Sequence, residues 1–211
     1  MSKQSFFDEH AAEWDETRHH AEDDRLARVV RLTDVRRGHT VLDVGTGTGV
    51  LVPHLLPLLG DAGRVVAVDI SPEMLRQAES KAFPATVTFR RADVHHLPFP
   101  DSSFDRVICN AAFPHFDNPR LSLREMRRVL RSRGYLVISH PIGRAAVNAL
   151  HSGVGEPVSE DRVPDASTMQ RLLEDTAFAD IVVIDEPDFY LARGRKPETL
   201  TAEDPGPPVR M

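Results

Sequence analysis

Apolar residues along the first two thirds of the chain fall into short runs closed by a polar residue, and helix-periodic stretches lie between them. The runs are Val41-Leu42-Asp43-Val44, Arg64 to Asp69, Val87 to Arg90, Arg106 to Asn110 and Tyr135 to Ser139. Short apolar runs without clean alternation predict strands buried on both faces, as in a parallel sheet. The intervening stretches predict helices. One starts in the apolar segment from Val50 to Leu59. A second has Ser71 as N-cap and Pro72 at its first position, and a third covers Leu121 to Arg131, with Gly134 as the break before the next strand. After residue 140 the spacing predicts a short helix over 144–151, a loop over 153–164 and a helix over 167–176 capped by Asp165 or Ser167. Ile181 to Ile184 and Phe189 to Ala192 read as two closing strands. The fold class expected is α/β: a doubly wound, mostly parallel seven-stranded sheet with a C-terminal antiparallel hairpin.

The turn after the first strand carries the strongest chemical signal. Gly45, Gly47 and Gly49 let the backbone turn sharply, and a residue without a Cβ lets a ligand approach the main chain. A strand, a glycine turn and a helix make a nucleotide-binding corner. Dinucleotide binders prefer G-x-G-x-x-G, but the third glycine falls one position early and Val50 stands where that pattern needs it. Asp69 ends the second strand, and a carboxylate there can accept two hydrogen bonds from a ribose diol. Asp43, Asp69, Asp93, Asn110 and His140 all fall at or just past strand ends, where an open α/β sheet places its ligand.

The segment Val41 to Gly49 resembles the first motif of class I S-adenosylmethionine (SAM)-dependent methyltransferases. Leu97-Pro98-Phe99-Pro100-Asp101-Ser102-Ser103-Phe104-Asp105 is similar to a stretch of the small-molecule enzymes of the ubiquinone/menaquinone biosynthesis type. The likeness runs from about residue 6 to 140, with its elements in the family's order. It implies a Rossmann-like methyltransferase fold and SAM as cofactor. Carried over residue by residue, it puts the methionine end on Asp43 and the loop of Gly45, Thr46, Gly47 and Gly49. The ribose goes to Asp69, and the adenine to Ile70, Met74, Asp93 and Val94. Asn110 would stand on the cofactor side and His115 near the methionine part. Trp14, with Phe6 and Phe7, resembles the aromatic N-terminal helix that closes the cofactor site.

Methyl transfer from a sulfonium asks the protein to position and desolvate a nucleophile, and a base is needed only where that nucleophile is protonated. His140, directly after the fifth strand, and His151 are the candidate catalytic residues. Arg144, Asn148 and His151 fall at i, i+4 and i+7, one face of a helix, and Arg144 and Asn148 are the candidate substrate contacts. His140, His151 and Asp161 lack the tight spacing of a metal motif, and no metal is expected. Asn110-Ala111-Ala112-Phe113 lacks both prolines of the Asn/Asp-Pro-Pro-aromatic segment of methyltransferases that act on DNA bases.

A chain of 211 residues suits one domain over 1–196, with an N-terminal cap (1–25), a crossover or substrate segment (141–164) and a disordered Pro-rich tail (197–211). The net charge of −6 argues against a nucleic-acid partner. Arg120, Arg124, Arg127, Arg128, Arg131 and Arg133 read as the solvated side of an amphipathic helix. Cys109, the single cysteine, excludes an internal disulfide. With a polar N-terminus and no long apolar run, the expected setting is the cytoplasm, without membrane insertion. A monomer or homodimer acting on a small molecule is expected. Three other readings stay open: a SAM-binding protein without turnover, a different SAM reaction such as aminopropyl transfer, and an NAD-dependent dehydrogenase.

Overall fold

The structure is a computed structural model that describes residues 1–16 and 22–198; of the predicted cap, residues 17–21 lie outside the described residues, as do 199–211 of the tail. Seven strands, β1 (Thr40–Val44), β2 (Arg64–Asp69), β3 (Val87–Arg91), β4 (Phe104–Asn110), β5 (Leu130–His140), β6 (Ala179–Glu186) and β7 (Phe189–Arg195), form one sheet in the order β3-β2-β1-β4-β5-β7-β6. β7 runs antiparallel to both β5 and β6, and every other pairing is parallel. The helices are α1 (Lys3–His10), α2 (Glu22–Arg31), α3 (Val52–Leu59), α4 (Pro72–Ser80), α5 (Pro119–Val129), α6 (Arg144–Val154) and α7 (Ala166–Asp175).

Both faces of the central strands are covered, which is why their sequences read as unbroken apolar runs. Leu42, Val44, Val107, Cys109, Leu136 and Ile138 pack with α5, α6 and α7 through Leu123, Met126, Val147, Met169 and Leu173. Val41, Ile108 and Val137 point the other way, against Leu26, Val29, Val30, Val52 and Leu55 of α2 and α3. Each fully buried aliphatic side chain contributes about 1.5–3 kcal/mol relative to exposure. The edge strands β3 and β6 are only partly covered.

Caps set the helix starts. Ser71 Oγ accepts from the Met74 N–H at 3.1 Å and Asp165 from the Thr168 N–H at 2.8 Å, so Asp165 rather than Ser167 caps α7. Three boundaries differ from expectation. α3 begins at Val52 because Gly45 to Leu51 stay in turns, with the Val52 N–H bonded to the Gly49 carbonyl. α6 runs three residues further, to Val154. Gly134 is no break: β5 starts at Leu130, directly after α5, and passes through it. A Cβ at Gly134 would stand 2.8 Å from the Asp105 carbonyl oxygen, so the glycine serves a close strand approach.

Four arginines of the cluster are tied down within the chain. Arg120 pairs with Asp175, Arg128 with Glu125 and Asp101, Arg131 with Asp105, and Arg133 with Glu198, at 2.6–2.8 Å. Cys109 is fully buried, and burial pushes its thiol up. Among the described residues no helix is long and apolar enough to cross a membrane.

Candidate active site

Strand order reverses between β1 and β4, and a cavity of about 310 Å³ opens beyond the carboxyl ends of the strands on either side of that point. Ligand pockets start at about this size. Its wall includes Asp43, Gly45, Thr46, Gly47, Asp69, Ile70, Met74, Asp93, Val94, Asn110, His115 and Trp14, twelve of the thirteen cofactor residues expected from sequence. The exception is Gly49. A Cβ there would press on Ala78 and Phe83 at 3.4 Å, so this glycine lets the turn pack against α4 and its neighbours.

Gly45 has φ +67°, and a Cβ on it would stand 2.3 Å from the Cβ of Ala112, so the β1 turn and the β4 turn touch across the site. Ala111 beside it has φ 56°, a left-handed conformation that costs a non-glycine residue roughly 1–2 kcal/mol. Asn110 Oδ1 accepts from the Ser139 hydroxyl at 3.0 Å, which fixes the amide at the cavity wall.

The carboxylates are poised for a cation. Asp43 is buried and accepts from the Thr46 hydroxyl at 2.7 Å. Burial pushes its carboxyl up to about 7; the Thr46 hydroxyl opposes this and the nearby charge of Asp69 adds to it. Asp69 accepts from the Gly47 N–H at 2.8 Å and the Ser71 N–H at 2.9 Å. Burial still raises it, against those backbone donors. Asp93 and Asp117 add further acids to the wall, where Lys3 stands near Asp117. A ligand bearing a sulfonium and an ammonium fits this excess of acid, and the glycine turn leaves room for it at the backbone.

α1 roofs the cavity and is held on both flanks. On one side Asp8 Oδ1 accepts from the Ser71 hydroxyl at 2.6 Å and the Glu73 N–H at 3.4 Å. On the other, Lys3 Nζ lies 2.8 Å from Asp161, 3.1 Å from Asp117 and 3.1 Å from the His115 carbonyl oxygen. Phe7 stacks edge-on against Trp14 (5.6 Å) and His115 (5.1 Å) between these anchors. Asp15, beyond α1, is bonded to Thr48 and Lys81 of the glycine-turn side.

The expected catalytic and substrate residues lie elsewhere. No part of the wall comes from β5 to β7. His140 is buried at 2% exposure, with its ring edge-on to Tyr190 across the β5–β7 pair. His151 donates from Nδ1 to the Asp161 carbonyl oxygen at 3.0 Å and stands behind His115, ring centroids 4.8 Å apart. Arg144 pairs with Asp185 at 2.8 Å, and Asn148 accepts from the Val163 N–H at 2.8 Å. The shared helical face is real, but it pins the crossover segment and the hairpin. Asp161 meets His151 only through its carbonyl oxygen, and its carboxylate binds His115 at 2.7 Å and Lys3.

Sequence reasoning passed over Lys3 and His95 as site residues and weighed Asp161 only as a metal ligand. His95 lines the cavity, donates to Asp93 at 2.7 Å and accepts from the Asn118 N–H at 3.3 Å. Its position two residues after Asp93 was the available signal; Lys3 offered none.

A family model described as methyltransferase domain matches residues 42–138. The ubiquinone/menaquinone biosynthesis C-methyltransferase UbiE of Enterobacter sp. (strain 638) is 30% identical over 173 residues, 70% of this chain and 69% of that protein. UbiE of Coxiella burnetii (strain Dugway 5J108-111) is 35% identical over 108 residues, and there the aligned part spans 49% of this chain and 43% of that protein. A SAM-dependent methyltransferase structure from Aquifex aeolicus matches with TM-score 0.68 and 24% identity, over 81% of this chain and 89% of that one, a likeness of fold. With the glycine turn, the strand-end acids and the switch-point cavity in place, the chain belongs to the class I SAM-dependent methyltransferases and resembles their UbiE branch.

Proposed function

We propose that the methyl acceptor is a small molecule, taken into the cavity beneath α1, and that residues 1–196 form one catalytic unit. The observation that carries this is the roof: Lys3 and Asp8 anchor α1 across a cavity of about 310 Å³, which favours a compact guest over a polymer. Four of the six clustered arginines that could have met phosphates, Arg120, Arg128, Arg131 and Arg133, are engaged with acids of the chain itself. The two UbiE relatives, named for ubiquinone and menaquinone biosynthesis, support the same reading.

In this assignment Asp43 meets the ammonium of the methionine end and the turn from Gly45 to Gly47 carries its main-chain contacts. Asp69 accepts from the ribose hydroxyls. Ile70, Met74 and Val94 enclose the adenine, and Asp93 accepts from its amine. Asn110, His115 and Trp14 close the methionine side. The bound cofactor supplies an activated methyl group, so the chain's own work is to dehydrate and aim the acceptor.

Calorimetric titration with S-adenosylhomocysteine and SAM, with NAD as control, tests the reading. Micromolar binding of both sulfur ligands without NAD binding is expected. Asp69→Ala should weaken both by about 1–3 kcal/mol, the usual cost of lost charge-assisted hydrogen bonds. An unchanged dissociation constant removes the ribose assignment.

A further inference from the structure

The outer face of α6 is apolar where a surface helix ordinarily carries charge. Arg144, Asn148 and His151 turn inward with the buried Val147. The exposed arc is Ala145, Ala146, Ala149, Leu150, Gly153 and Val154, with Ser152 at its edge. Leu150 is 59% exposed and Val154 53%, one turn apart. Ser152 Oγ donates to the Asn148 carbonyl oxygen at 3.0 Å, so the hydroxyl of this arc finds its partner inside the helix. A single exposed leucine is ordinary, but a helical face without any charge marks a contact surface.

The face is self-complementary. Consider a second α6 laid antiparallel across a two-fold axis that passes between residues 149 and 150. Leu150 then meets the partner subunit's Ala149, Val154 meets the partner subunit's Ala145, and Ala146 meets the partner subunit's Gly153. Each large side chain faces a small one, which lets the two helix axes approach closely. The ends favour the same direction. Gly143 is the N-cap of α6, and among the described residues no side chain caps its first turn or places an acid in it. The N–H groups there and the positive end of the helix dipole await a carboxylate. Glu156, exposed just past the helix end, falls opposite the partner subunit's Gly143 in this register. Parallel packing would instead set Glu156 against the partner subunit's Glu156. A membrane surface suits the face poorly, because Arg144 is engaged by Asp185 and Arg162 by the carbonyl oxygens of Ser159 and Asp161.

We propose that α6 is a homodimer contact, with a second copy of this chain seated antiparallel on it. His151 of α6 stands behind His115 at the cavity wall, so the contact braces the site from outside. A helix of this length covers less than the about 1,200 Å² of a standard interface, and the dimer is therefore weak and concentration-dependent.

Sedimentation velocity of the full chain from about 1 to 200 µM tests this, and a monomer–dimer equilibrium within that range is expected. Leu150→Lys should weaken it at least about tenfold and Glu156→Gln about threefold, with the melting midpoint of dilute protein unchanged. Ala149 lies nearest the axis, so Ala149→Cys should form a disulfide-linked dimer under mild oxidation. Leu58→Cys, exposed on α3, should not, and Cys109 is buried away from the oxidant. A chain that stays monomeric throughout overturns the proposal, as does a dimer that Leu150→Lys leaves unchanged. A dimer that Ala149→Cys fails to cross-link overturns the antiparallel register. Binding of the monomeric chain to vesicles of phosphatidylcholine and phosphatidylglycerol assigns the face to a membrane instead. If Leu150→Lys does not fold, Val154→Lys on the same face decides.

Discussion

Asp43 illustrates how much one buried side chain can carry. Its carboxyl is raised to about 7, chiefly by burial. A raised folded-state value means that the native chain holds the proton more tightly than the unfolded chain between pH 3.8 and about 7. Stability of the ligand-free protein therefore falls as pH rises through that window, by up to about 4 kcal/mol from this group. Asp43→Asn should flatten that part of the profile in denaturant titrations at a series of pH values; an identical slope would show that Asp43 ionises freely in the folded chain. Gly45 is the steric counterpart. In Gly45→Ala the new methyl meets Ala112 at 2.3 Å in a left-handed backbone conformation. A loss of about 1–3 kcal/mol in stability and weaker S-adenosylhomocysteine binding are expected by thermal melting and calorimetry.

Among the elements, α1 has the most to do with the site, although its own sequence is only weakly amphipathic. Only Phe6 of its residues is buried, so polar contacts at Lys3 and Asp8 do much of the docking. Ser71 is used twice: its hydroxyl accepts from Met74 to start α4 and donates to Asp8 to hold the roof. Asp8→Ala should speed release of S-adenosylhomocysteine about ten- to hundredfold, the equivalent of one charge-assisted hydrogen bond. Trp14, the single tryptophan, lies on the cavity wall and supplies the stopped-flow fluorescence signal. An unchanged release rate would mean that the Asp8 anchor does not control exit. The crossover shows the opposite arrangement, since Arg144 and Asn148 turn their polar face inward to β6 and to Val163.

Taken as a unit, the molecule places Asp43, Asp69 and Asp93 at one end of the sheet and lets the ligand complete the charge balance there. Binding to the folded form alone stabilises it by RT ln(1 + [L]/Kd), about 2.7 kcal/mol at a hundredfold excess over Kd. For a chain of this length that raises the melting midpoint by roughly 5–10 °C with S-adenosylhomocysteine. NAD at the same concentration should leave the midpoint where it was, and a rise with NAD would reopen the dehydrogenase reading.

The sheet, the glycine turn and the acids Asp43 and Asp69 were legible along the chain because each depends on near neighbours. A buried strand shows in consecutive side chains, a cap in residues three apart, and a turn in the glycines that its backbone angles require. Gly134 misled because a glycine needed for a close strand approach looks, in sequence, like one that ends a helix. The histidine at the wall was a question of another kind. His140 ends a strand as Asp69 does, but β5 lies beyond the switch point and its end packs under Tyr190. His115 reaches the cavity through a turn, and its partners stand 46 and 112 residues away in sequence. No local periodicity links such positions: they meet because α1 folds across the strand ends and the segment after α6 returns beneath it, so the Lys3–Asp161–His115 array exists only once the chain has packed.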